Sequence, residues 1–308
     1  MTMHFADIAR QAAADGAITA EEILALRRAG WSDGTMTPEE AEAVFALNDA
    51  LAEPTPEWSD FFVEAIGEFV INGTVPKGYV SEANAAWLIA QIDRDGVLQS
   101  MTELELLVRV LERGINTPDR LKAYVLQQVE QAVLTGSGPT RRGELSPGHV
   151  NAAEALILRR VLFAPAGDAP AAVSCAEAEL LFRLKDATLG AANALEWKQM
   201  FVQGVANYLQ GVASRTAQIS RERAAELEAF VADDSSSVTS FLSRMAQRAP
   251  NAFGMAFGQN QPARDRLAEL RAAEDVTADE QAWLDAHIDA DGEIDAYEQA
   301  LIAFLAAD

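Results

Sequence analysis

Cysteine is nearly missing from these 308 residues: Cys175 stands alone, which rules out an intramolecular disulfide and any thiolate cluster for zinc or iron–sulfur. Histidine is almost as scarce, with only His4, His149 and His287. Positive charge is also short, 24 Lys and Arg against 47 Asp and Glu, for a formal charge of −23. Such a chain repels phosphate backbones, so nucleic acid is excluded as its partner. No window approaches about 18 uncharged apolar residues, so no membrane span is expected. The most apolar stretch, 152–173, is interrupted by Glu154, Arg159, Arg160, Pro165, Asp168 and Pro170. Residues 1–11 carry His4, Asp7 and Arg10 in place of a signal-peptide core, so the expected location is cytoplasmic. No glycine cluster opens a helix behind a strand, and no serine or cysteine stands in a nucleophile context. The expectation is therefore a protein that is not an enzyme. Aromatic residues are only 7% of the chain while alanine is abundant, which favours helices over sheets.

What is present is written twice. Thr37-Pro-Glu-Glu-Ala-Glu-Ala-Val-Phe-Ala-Leu-Asn-Asp-Ala50 returns as Ser174-Cys-Ala-Glu-Ala-Glu-Leu-Leu-Phe-Arg-Leu-Lys-Asp-Ala187. A helical stripe follows each time, Trp58, Phe61, Phe62, Ala65, Ile66 and Phe69 in one and Trp197, Met200, Phe201, Gly204, Val205 and Tyr208 in the other. Leu26-Arg27-Arg28 pairs with Leu158-Arg159-Arg160, and the Val80–Gly96 segment pairs with Val276–Gly292. Four landmarks in one order predict a tandem duplication. Nothing alternates with period two for long, so the fold class is all-α, two helical-bundle domains. Domain 1 is expected over 1–134, a linker over 135–143, and domain 2 over 144–308. The offset between copies grows from 139 residues at the stripe to 196 at the last landmark. That places an insertion at about 213–262, with helices expected over Ser220–Ala232 and Ser236–Arg248. Trp58, Trp87, Trp197 and Trp283 recur at equivalent places, as core anchors do. The basic residues Arg141, Arg142, Arg215, Arg221, Arg223, Arg244 and Arg248 concentrate in the linker and insertion, where a solvated face is expected.

A short Asp-Gly phrase recurs at Asp15, Asp33, Asp95 and Asp291. Two readings of it compete. In the first, Gly16, Gly96 and Gly292 close helices in left-handed conformation. Thr19/Glu22, Thr37/Glu40, Ser100/Glu103 and Ser174/Glu177 are then capping boxes, with Asp295/Glu298 as an acidic variant and Pro38 at a first helical position. In the second reading, Asp93 with Asp95 and Asp289 with Asp291 are paired carboxylates bent around a glycine turn. On an EF-hand template Asp289, Asp291, Gly292, Ile294 and Glu298 fall at positions 3, 5, 6, 8 and 12. Position 1 is His287, and in the first copy positions 1 and 12 are Gln91 and Thr102. The set could hold a calcium or magnesium ion only weakly.

The phrase Ala14-Asp-Gly-Ala-Ile-Thr-Ala-Glu-Glu22, followed 80 residues later by Ile92-Asp-Arg-Asp-Gly-Val-Leu98, resembles the paired helix-turn signatures of the TerB-like family. That family groups the tellurite-resistance protein TerB with the N-terminal domain of a membrane-bound DnaJ-type co-chaperone. The aromatic helix Trp58–Phe69 is similar to the family's middle helices. The resemblance implies an all-helical bundle without catalysis, with metal held by acids near its turns. Carried over by position, these are Asp15, Glu22, Asp95 and Glu103 in the first copy, and Asp291 and Glu298 in the second. Arg142 replaces the aspartate before Gly143. The expectation that follows is a cytoplasmic binding or scaffold protein, metal-responsive and stress-related, acting on a protein partner. The alternative is a degenerate EF-hand-type calcium-binding protein. Metal ligands in either case are drawn from Asp289, Asp291, Glu298, Asp93, Asp95, Asp15, Glu22 and Glu103.

Overall fold

A computed structural model describes residues 3–30, 35–93, 98, 100–141, 146–164, 172–214, 278–288 and 294–305. The expected insertion helices over 220–248 lie outside the described residues. Among those described, the fold is all-α, with twelve helices and one 3-10 turn. In order these are α1 (Met3–Asp15), α2 (Ala20–Gly30), α3 (Pro38–Ala50), α4 (Pro56–Asn72), α5 (Glu82–Ile92), α6 (Met101–Arg113) and α7 (Asp119–Thr135). After the turn Pro139–Arg141 come α8 (Ala152–Leu162), α9 (Cys175–Ala187), α10 (Leu195–Ser214), α11 (Ala278–Ile288) and α12 (Ala296–Leu305). No described helix is long and apolar enough to cross a membrane.

The chain divides into two compact units, one holding α1 to α7 and the other α8 to α12. In the first, α4 is central and packs on α2, α3, α5 and α6; α1 covers α2 and α3, and α7 covers α5 and α6. In the second, α10 is central and packs on α8, α9 and α12. The central helices are chosen by their apolar stripes. Trp58, Phe61, Phe62, Ala65, Ile66 and Val70 are wholly buried in α4, as are Trp197, Phe201, Val202, Val205 and Leu209 in α10.

Inside each unit the aromatic residues meet in the same way. Phe45 stands edge-on to Phe62 at 5.1 Å and 84°, and Phe182 to Phe201 at 5.2 Å and 83°. Phe45 meets Trp87 at 5.6 Å and 81°, and Phe182 meets Trp283 at 5.6 Å and 79°. Phe69 meets Trp87 at 5.1 Å, and Tyr208 meets Trp283 at 4.9 Å. Edge-to-face pairs at these separations add to the burial of each ring. Trp58 and Trp197 are wholly buried, as core anchors are, whereas Trp87 and Trp283 are half-buried against the core rings.

Helix starts follow the local rule. Full capping boxes sit at Thr37/Glu40, Ser100/Glu103 and Ser174/Glu177. Thr19 and Glu22 exchange the same two bonds, as do Asp295 and Glu298. A sixth box, Asn151/Glu154, opens α8. Gly16 follows α1 with φ of 71°, the left-handed stop expected there.

The stretch 135–143 is more than a spacer. Gly136 caps α7 with φ of 72°, leaving no room for a Cβ against Pro147. Arg141 is buried and donates through Nη1 to the Ser146 carbonyl at 2.8 Å. The division between units accordingly falls at Pro147 and Gly148. Arg141 thus departs from the solvated role expected for the basic residues of this region.

Candidate functional site

The acids singled out in the sequence occupy helix ends. Glu22 Oε2 accepts from the Thr19 amide and hydroxyl at 2.9 and 2.8 Å. Glu103 Oε2 accepts from the Ser100 amide at 3.2 Å. Asp93 caps the end of α5, and its Oδ1 accepts from the Tyr124 hydroxyl at 3.2 Å. Asp15 ends α1; its side chain, like Asp95, Asp289 and Asp291, lies outside the described residues. Among the described residues no three of His, Cys, Asp and Glu are grouped to hold a metal ion.

His287 packs against the aromatic residues of its unit. Its Nδ1 lies 2.8 Å from the Trp283 carbonyl, which can only accept, so that nitrogen carries the proton. Its ring lies 4.2 Å from Trp283 and 4.8 Å from Phe182. The caps also set the register of the two closing helices. Ser100 and Asp295 both occupy an N-cap, so counted from the cap Glu103, not Thr102, aligns with Glu298. Thr102 pairs instead with Ser59 at 3.0 Å, and its counterpart Tyr297 lies under Lys198 at 5.8 Å.

Glu298 belongs to a buried ion cluster that the sequence reading missed. Lys185 Nζ lies 2.5 Å from Glu298 Oε1 and 2.8 Å from Asp295 Oδ2, with Asp186 at 2.9 Å. Lys185 and Glu298 are each only 2% exposed. The second Glu298 oxygen accepts from the Asp295 amide. Burial acts against the Lys185 charge, but hydrogen bonds to Asp295, Glu298 and Asp186 outweigh it and hold the ammonium above its ordinary pKa. Burial likewise opposes the Asp295 carboxylate, yet Lys185 and the amides of Glu298 and Tyr297 keep it below the usual range. Nearby, burial lowers Lys198 and raises Tyr297. A buried, firmly protonated lysine cannot act as a nucleophile or base. It does act as a fixed cation joining α9 to the start of α12. The matching residue in the first unit is Asn48, whose Oδ1 accepts from Trp58 Nε1 at 3.1 Å. With lysine in that place, Trp197 Nε1 has no partner. The signal available in the sequence was a lysine at a core-facing position of an otherwise matched helix.

A recess opens in the first unit between α4 and α6, with a volume of about 320 Å³. It is lined by Val63, Glu64, Gly67, Glu68, Ile71 and Asn72 of α4 and by Arg109 and Arg113 of α6. Ile115 and Gly78 close one end, where Ile115 is 59% exposed. The end is held by a short pairing, with the Ile115 amide donating to Gly78 O at 2.7 Å and the Val80 amide to Asn116 O at 2.9 Å. Gly78 is required there, since φ is 89° and a Cβ would meet Ile115. Arg109 and Arg113 are four residues apart on one helix face, a spacing visible in the sequence; that they face α4 is not.

Comparison with protein-family models, with curated proteins and with solved structures gives no match to this chain.

Proposed function

We propose that this chain is a non-catalytic binding module of the TerB-like type, built from two copies of one helical unit and working in the cytoplasm. Its recognition surface is the α4–α6 recess. The observation that carries the reading is how the polar groups are divided. Six glutamates are committed to helix caps, and Lys185 is committed to Asp295 and Glu298. The recess combines apolar residues with charges of both signs, which is the composition of a small-ligand or side-chain pocket. Support for two copies of one unit comes from the paired aromatic geometries and the paired capping boxes. Support for the TerB-like type comes from the signatures around Asp15 and Asp95. The metal-responsive part of the reading rests on Asp289 and Asp291, because Glu298 already holds an ammonium.

The test is amide chemical-shift mapping of the full chain against a set of small soluble fragments. Shifts confined to residues 63–72, 78 and 109–115 are the expected result. Shifts that scatter over both units, or that avoid the recess, would refute the assignment of this surface.

A further inference from the structure

We propose that the α4–α6 recess takes a small aliphatic carboxylate, with the carboxylate on Arg109 and Arg113 and the apolar body over Val63, Ile71 and Ile115. This rests on the binding-module reading above and names its ligand class. The starting observation concerns charge. In a chain with 47 acids and 24 bases, a guanidinium has carboxylates on offer throughout. Arg27 takes Glu64 at 2.8 Å and Arg120 takes Glu82 at 2.6 Å. Arg109 and Arg113 line the recess and make no hydrogen bond or ion pair among the described residues. Arg109 Nε is buried and has no hydrogen-bond partner among the described residues. A buried donor left open is costly, so a ligand that brings an acceptor to this guanidinium is favoured.

The rest of the lining decides what kind of acceptor. A planar carboxylate matches the guanidinium fork with two parallel hydrogen bonds. Glu64 and Glu68 line the same recess, so a dianion such as phosphate would meet about twice the repulsion that a single charge meets. Both glutamates are already engaged, Glu64 by Arg27 and Glu68 by Asn72 Nδ2 at 2.9 Å. Neither is paired with Arg109 or Arg113 among the described residues. The apolar surface left for a ligand to cover is mainly that of Ile115, which is 59% exposed, since Val63 and Ile71 are already buried. About 320 Å³ lies at the small end of ligand pockets, which run from about 300 to 1,000 Å³. The second unit does not repeat the arrangement. Matching positions there hold Val202, Gln203, Ala206 and Asn207, with Phe304 in place of Arg109. Asn207 Oδ1 is taken by the Val173 amide at 2.8 Å.

The test is isothermal titration of the full chain with N-acetyl-leucine and with N-acetyl-leucinamide, which share an apolar body and differ in the carboxylate. The acid is expected to bind at least tenfold more tightly than the amide. Arg109→Gln should weaken the acid at least tenfold, leave the amide unchanged and preserve the melting temperature. Inorganic phosphate at equal concentration should fail to displace the acid. Equal binding of acid and amide, displacement by phosphate, or no binding of the acid would overturn the proposal. Fragments that still map to the recess in that event would leave the binding-module reading standing; their absence would remove both.

Discussion

Lys185 Nζ and Glu298 Oε1 lie 2.5 Å apart inside the second unit, 113 residues apart in the chain. The pair joins α9 to the first turn of α12, which has few other ties to α9. Removing the lysine leaves Glu298 and Asp295 buried without a counter-charge. Lys185→Met should therefore cost about 3–5 kcal/mol by denaturant unfolding, the usual result of breaking one side of a buried pair. A loss below 1 kcal/mol would mean the cluster is solvated in practice.

Acid and base should act on this clasp in opposite ways. The Asp295 pKa is depressed, so its contribution is whole above the ordinary carboxylate range and is lost as pH falls through the depressed value. The Lys185 pKa is raised, so its contribution is whole below about 10.5 and is lost as pH rises through the raised value. The parent should consequently melt at a nearly constant temperature between about pH 6 and 9. In Lys185→Met the buried Asp295 loses the partner that holds its pKa down and gains by taking up a proton, so the deficit should be largest at neutral pH and shrink as pH falls. Thermal melts of both proteins from neutral to acid pH check the sign.

Glycine positions in the two central helices predict opposite responses. A Cβ at Gly204 would press on the Leu181 side chain, whereas one at Gly67 would meet only Leu106 Cδ1 at 4.0 Å. Gly204→Ala should destabilise by roughly 1–3 kcal/mol through overpacking. Gly67→Ala should stabilise by up to about 1 kcal/mol, the helix-propensity gain. Equal effects at the two sites would contradict the packing described for α10 against α9.

Calcium separates the metal element of the proposal from the rest. With Glu298 held by Lys185, a cation is left with Asp289 and Asp291, and millimolar calcium should raise the melting temperature only slightly. Asp291→Asn should remove that rise and Asp95→Asn should leave it. No shift at all in the parent would reduce the Asp-Gly phrases to helix caps.

Helix starts were legible because a capping box is a local rule: Thr37 and Glu40, or Ser100 and Glu103, meet three residues apart in any context. Asn151 and Glu154 obey the same rule, since asparagine caps as readily as serine. The aromatic core was legible through the period of α4 and α10. Lys185 was not, because its partners arrive from more than a hundred residues away. Nor was the recess, since nothing local to α6 shows that Arg109 and Arg113 come to line a space beside α4. The burial of Arg141 likewise depends on a carbonyl that only the folded turn brings near.

The most direct test of recognition through the recess is to fill it. Gly67→Leu adds a side chain to the lining at a position where a Cβ has room. Chemical-shift mapping of the same fragment set should then be run on the parent, Gly67→Ala and Gly67→Leu. The account predicts that all three fold and that only Gly67→Leu loses the shifts at 63–72 and 109–115. Undiminished binding by a folded Gly67→Leu would contradict it.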